Sequence, residues 1–466
     1  MNDRVVAAGL AALVIVARLP FATHTLWAWD SVLYARALEQ GFHVGVDLAD
    51  QRPHPPGYLF YVGAAAAARL FTGDSNTAIV VISVLASGLT AAAVYLLCRR
   101  YADRALALVI ALGAATAPLA WTYGEVAMPY ALLGLLSIVL AVLLRDARAR
   151  PWPAALIASA ALGLAAGFRQ DVLLLLGPLW LWMLAARSWR ERVLCIVAVG
   201  IAGLAWFLPS MSLSGGLTAY LASLGGQASR VSELSPAAGS DALVRNTLLT
   251  VYALFWGLLG FALLLVAGLV ARLRARNRLT EDAAFFALWL VPAALIYLTI
   301  HIGDPGYLMS MLPGLYVACA ALLAPIARRA APIVFTGTAL FVVINAAVFV
   351  LGDGPFSASA IAAHDRVTTR RVADVRTMAP ASTVVIARSD YLIARYYLPD
   401  YTVLFDGAAP EVLSSATRVV RVASPTRVFF YGSLPSPFPA AVRLDTEDSG
   451  TIVPGATLVA YDLEPR

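Results

Sequence analysis

Apolar positions along this chain come in long unbroken runs, not in the alternating or one-faced patterns of water-exposed elements. The strongest runs cover 5–21, 76–98, 105–121, 126–144, 154–168, 171–186, 193–210, 247–270, 283–300, 307–326 and 332–351. Each approaches the roughly 20 residues that a helix needs to cross a bilayer. The pattern predicts a polytopic α-helical membrane protein with about eleven transmembrane helices. After residue 353 the pattern changes. Strand-like runs at 383–387 (TVVIA), 401–405 (YTVLF), 427–432 (RVFFYG) and 457–463 (TLVAYDL) alternate with helical patterns at 359–378 and 389–397. That alternation predicts a small C-terminal α/β domain over 354–466, following a membrane domain over 1–353.

Composition agrees with the pattern. Of 466 residues, 60% are hydrophobic and 13% charged, against about 25% charged in a soluble domain. The N-terminal stretch MNDRVVAAGLAALVIVARLPF lacks a small-residue cleavage pattern, so it reads as a retained first helix. The three cysteines, Cys98, Cys195 and Cys319, lie inside apolar runs with no metal or disulfide spacing. Every basic residue is an arginine, and the formal charge is +6. A basic balance invites a nucleic-acid reading. Here the arginines cluster between apolar runs, where they set orientation in the membrane instead.

The run 57–71 (GYLFYVGAAAAARLF) decides that orientation. If it crosses, the clusters at Arg99–Arg104, Arg145–Arg150, Arg187–Arg192, Arg272–Arg278 and Arg328–Arg329 fall outside, against the positive-inside rule. We therefore expect a short helix on the outer surface, with Pro55 and Pro56 in its first turn. The expected localisation is a plasma membrane, with a cytoplasmic N-terminus and an extracytoplasmic C-terminal domain. All five histidines (His24, His43, His54, His301, His364) then fall on the outer side, with Asp30, Glu125, Arg169 and Asp171.

Each of these residues has an ordinary reading beside a chemical one. Asp30, in WAWDSVLYARAL, reads as a helix N-cap or as a general base held at a helix start. Glu125, in WTYGEVAMPY, reads as a headgroup-level carboxylate or as an acid facing a cavity. Arg169 and Asp171, in GFRQD, read as a local ion pair, or Arg169 as an anion ligand. HIGDPGYLMSMLPG at 301–314 forms another outer turn, and the glycine-rich loop at 211–245 could move over a site. What stands out is that these groups converge on one face of a mostly apolar protein.

Several motifs together resemble the GT-C glycosyltransferases, above all the lipid-linked-sugar transferases that include protein O-mannosyltransferases and lipid A aminoarabinose transferases. They are Asp30 in a large first outer loop (22–75), HPPG at 54–57, CRRYADRA, TYGEVAMPYALL, GFRQD and GYLMSMLPGLYVACA, across residues 1–351. The resemblance implies transfer of a sugar from a polyprenyl-phosphate donor to an extracytoplasmic acceptor, which could be a glycan, lipid or protein. It implies Asp30 as base and Glu125 in the place of the second-loop acid. Arg52, His54, Tyr58, Arg169, Asp171, His301 and Tyr307 become candidate substrate contacts. Relatives carry a paired acidic motif where this chain has Asp30 followed by Ser31, a departure that bears on any divalent cation (Mg or Mn). Two rivals stand beside this reading. One is a lipid-linked-sugar flippase, since intramembrane ionisable groups also mark transport pathways. The other is a non-catalytic envelope assembly protein.

Overall fold

A computed structural model describes residues 2–45, 52–233, 235–236, 239–274, 281–380, 383–387 and 390–405, together with four short strands further on. Arg276, Arg278 and most of the strand-like run 457–463 lie outside these residues.

The chain is a polytopic helical protein. Its helices are α1 (Asp3–Arg18), α2 (Trp29–Gln40), α3 (Leu59–Thr72), α4 (Ser75–Cys98), α5 (Arg104–Thr116) and α6 (Pro118–Tyr123). They continue with α7 (Tyr130–Ala149), α8 (Trp152–Ala165), α9 (Val172–Ala185), α10 (Trp189–Leu213), α11 (Leu217–Glu233) and α12 (Ser240–Leu258). The last are α13 (Phe261–Arg274), α14 (Glu281–Thr299), α15 (Leu312–Leu351), α16 (Ala358–Arg376) and α17 (Tyr391–Tyr397).

Among the described residues six helices are long and apolar enough to cross a bilayer alone, and the pair around α12 and α13, bent by 95°, makes a seventh span if counted as one. The eleven expected crossings are therefore revised. The runs at 105–121, 154–168 and 171–186 form helices of only 13, 14 and 14 residues. At 1.5 Å per residue these rise about 20 Å, short of a ~30 Å hydrocarbon core. Hydropathy alone does not separate a spanning helix from one buried in protein. The runs 307–326 and 332–351 join into α15, bent where Ala330 leaves helical geometry just before Pro332.

The run at 57–71 forms the 14-residue α3, a length that suits the expected surface helix. Its prolines precede the helix instead of sitting in its first turn. Gly57 makes that entry possible: its φ is +108°, and a Cβ there would collide with Val44 and Phe42. The loop expected at 211–245 is largely the helix α11.

Among the described residues, two large cores organise the molecule. One runs between the long helices, and it encloses Cys98, Cys195 and Cys319 as free, buried thiols. The other joins α2 and α3 (Val32, Leu33, Tyr34, Tyr61) to the C-terminal segment (Val372, Val375, Leu392, Ile393). In that segment the strand Thr383–Ala387 pairs in parallel with both Thr402–Phe405 and Thr426–Tyr431, and the latter pairs antiparallel with Ile452–Ala456. Parallel strands beside α16 and α17 give the mixed α/β character expected of this part.

Candidate active site

A cavity of about 600 Å³ opens where the first loop, the turn 124–129, the turn before α15, α11 and the C-terminal segment meet. The first loop supplies Trp27, Trp29, Asp30 and His54. Opposite stand His301, Asp304 and Tyr307, with Tyr130 from the start of α7. Gln227 and Val231 come from α11, and Asp390 and Ile393 from the C-terminal segment.

Asp30 is not the helix cap. Ala28 takes that position, and the Ser31 hydroxyl accepts from the Ala28 N–H at 3.2 Å while donating to the Ala127 carbonyl at 2.8 Å. Capping is thus met by Ser31, and the Asp30 carboxylate stands in the first turn of α2 beside the cavity. The positive end of the helix dipole favours its charge there. Among the described residues no cation pairs with it.

Behind the cavity wall lies Arg169, 4% exposed. Its guanidinium carbon sits 4.6 Å from the Tyr307 ring centre, 4.9 Å from Tyr130 and 5.9 Å from Tyr58. Its Nε donates to Asp171 at 2.8 Å. The expected local ion pair is real, but it is buried at Arg169 and caged by three aromatic faces, each attracting the cation. Burial pushes the Tyr58 hydroxyl well above the usual phenol range and raises that of Tyr307. Tyr58 also shares a 3.3 Å hydrogen bond with His54 Nε2, which links the cage to the cavity.

On the far wall, Asp304 accepts from the Tyr123 hydroxyl and from the Gly306 N–H at 2.7 Å. Burial raises its pKa. Burial also lowers that of His301, with Arg245 and His54 adding to the shift, which favours a neutral imidazole.

Arg52 and Glu125 belong neither to this cavity nor to the cage behind its wall. Arg52 is buried and donates to His43 Nδ1 at 3.3 Å. Glu125 is fully buried behind the turn 124–129, its Oε1 4.0 Å from Arg18 Nη1. Arg18 in turn donates to Ser87 Oγ at 3.1 Å and to the Ala115 carbonyl at 2.6 Å. The second carboxylate that does face Asp30 across the cavity is Asp304. The turn HIGDPG pointed to it, but Pro305 and Gly306 made it look like an ordinary turn residue. Asp390 and Tyr130 carried no sequence signal, since their distance in sequence from Asp30 hides the contact. Among the described residues no three His, Cys, Asp or Glu side chains converge to hold a metal ion.

Residues 53–212 match the family described as dolichyl-phosphate-mannose-protein mannosyltransferase. No curated protein sequence matches the chain. The structure is similar to that of ArnT from Cupriavidus metallidurans bound to undecaprenyl phosphate, with a TM-score of 0.63 at 12% identity over 97% of each chain. The same protein in its apo state gives 0.56 at 14% identity, again over 97% of each chain. An oligosaccharyltransferase from Archaeoglobus fulgidus, tethered to an acceptor peptide, gives 0.50 at 12% identity, covering 85% of this chain and 63% of that one. The fold of this chain is therefore similar to that of ArnT, and about a third of its length matches the mannosyltransferase family model.

Proposed function

We propose that the protein transfers a sugar from a polyprenyl-phosphate donor to a hydroxyl-bearing extracytoplasmic acceptor, with Asp30 as general base. The observation that carries this reading is an acid without a cationic partner among the described residues, at the wall of a cavity, in a fold shared with a protein crystallised with undecaprenyl phosphate.

The chemistry asks little of the protein. A polyprenyl phosphate leaves without much help from an acid. The acceptor hydroxyl needs its proton removed as its oxygen attacks the anomeric carbon, which suits one positioned carboxylate. Attack opposite the leaving phosphate inverts the anomeric centre. Charge then grows on the phosphate, and donors already in place lower that cost. His54, Tyr307 and the Arg169 charge behind the tyrosines are the groups at hand. Arg52 and Asp171 act on this reading through His43 and Arg169, as positioning residues. Asp304, held by the Tyr123 hydroxyl and the Gly306 N–H, offers a carboxyl group to the sugar from the wall opposite Asp30.

The test is transfer by purified protein in lipid, offered a panel of polyprenyl-phosphate sugars. Asp30→Asn should lower turnover at least a hundredfold while donor binding persists. Retained turnover would overturn the base assignment. Donor movement across vesicles without any product would favour a flippase.

A further inference from the structure

A second cavity, of about 680 Å³, lies at the arginine-rich end, where α7 ends and α14 begins. Four guanidinium groups and three carboxylates line it. Most are matched. Arg100 clamps Asp146 through two nitrogens, at 2.5 and 2.9 Å, and Arg150 reaches the same carboxylate at 3.4 Å. Arg145 pairs with Asp282 at 2.5 Å.

Arg148 is different. No acid pairs with it among the described residues. Its guanidinium carbon lies 4.3 Å from the centre of the Trp182 ring, and its Nη1 donates to the Trp182 carbonyl at 2.5 Å. Arg187 holds the adjoining turn by donating to the carbonyls of Ala147, Arg148 and Arg150. The pocket thus sets four guanidinium groups against three carboxylates, Glu281 among them, and its stacked Arg148 joins no ion pair among the described residues, with Arg150, 65% exposed, at the rim.

A second observation locates this pocket along the membrane normal. Trp152 and Trp189 open α8 and α10 at this same end, 43% and 73% exposed. Exposed tryptophans at helix ends mark the headgroup level of a bilayer. A planar guanidinium beside them matches a phosphate in shape and charge.

We propose that this pocket binds the phosphate of an anionic phospholipid headgroup, with Arg148 and Arg150 as its ligands and Trp182 as the platform under Arg148. The site is separate from the cavity at Asp30, and its occupancy does not depend on the transfer reaction.

Native mass spectrometry of the protein with phosphatidylglycerol and phosphatidylcholine tests it directly. Retention of phosphatidylglycerol should weaken about fivefold for each charge removed in Arg150→Gln and in Arg148→Gln with Arg150→Gln. Arg328→Gln with Arg329→Gln removes the same charge from exposed positions near the bend of α15 and should leave retention unchanged. Equal losses in both double variants would reduce the effect to bulk attraction and overturn the site. Thermal stabilisation by inorganic phosphate equal to that by the lipid would overturn the assignment to a headgroup. Should the double variant misfold, Arg150→Gln alone carries the comparison, and no loss there refutes the proposal.

Discussion

At the scale of single residues, the cage around Arg169 and the pair around Glu125 show how differently two buried ions are used. Arg169 is held by rings on three sides and by Asp171. Its planarity matters as much as its charge, because a lysine cannot stack between tyrosines in the same way. Arg169→Lys should therefore lower kcat/KM for transfer tenfold or more despite the retained charge. Glu125 faces Arg18 at 4.0 Å, and burial lifts its pKa to about 8. Between the ordinary carboxylate range and about pH 8 the folded protein then holds a proton that the unfolded chain has lost. Stability conferred by that proton is full at low pH and fades as pH rises through the folded pKa. The unfolding temperature of the wild type should fall from pH 5.5 to 8.5, and Glu125→Gln should flatten that slope. A variant with the same slope as the wild type would show that other groups set it. Sequence left Asp30 between a helix cap and a free acid, and only the structure shows Ala28 in the cap position with Asp30 beside the cavity. Glu125 was misjudged because a carboxylate beside an apolar run looks the same whether it faces a cavity or an arginine.

At the scale of elements, the turn Pro305–Ser310 matters most. Asp304 caps it, accepting from the Gly306 N–H. Gly306 has no side chain where a Cβ would overlap the Tyr130 ring. Tyr130 is one wall of the arginine cage, so the glycine sets how closely that ring can approach the turn. Gly306→Ala should displace Tyr130 and reduce transfer at least tenfold, while circular dichroism still reports the helices. Unchanged turnover would show that the ring position is not critical. Helix existence was well read from the apolar runs. Span count was not, because α5, α8 and α9 are shorter than their runs.

At the scale of the whole molecule, the C-terminal segment is docked onto the first loop. The carboxylate of Asp365 accepts from the His24 and Thr25 N–H groups and from the Thr25 hydroxyl, at 2.9, 3.0 and 2.6 Å. The Tyr397 hydroxyl accepts from the Leu26 N–H at 2.9 Å. Charge-assisted bonds of this kind are among the stronger ones in proteins. They hold the stretch leading to Asp30, and they bring Asp390 to the cavity wall. Asp365→Ala should loosen that stretch, raising hydrogen exchange at 24–30 and lowering turnover severalfold. Unchanged exchange would mean that the shared core of Leu33, Tyr34, Leu392 and Ile393 suffices to hold it.

The sequence by itself determined the membrane class, the mixed C-terminal part, the presence of an acid at a helix start in the first loop and the resemblance to lipid-linked-sugar transferases. Each follows from local properties: run length, alternation, and an acid at a helix start. Tertiary structure alone decided which acid faces Asp30, that Arg169 is caged, that Glu125 belongs to Arg18, and that the C-terminal segment forms part of the cavity. These depend on contacts between residues up to hundreds of positions apart, and on the direction each side chain takes from its element. Hydropathy and spacing carry neither.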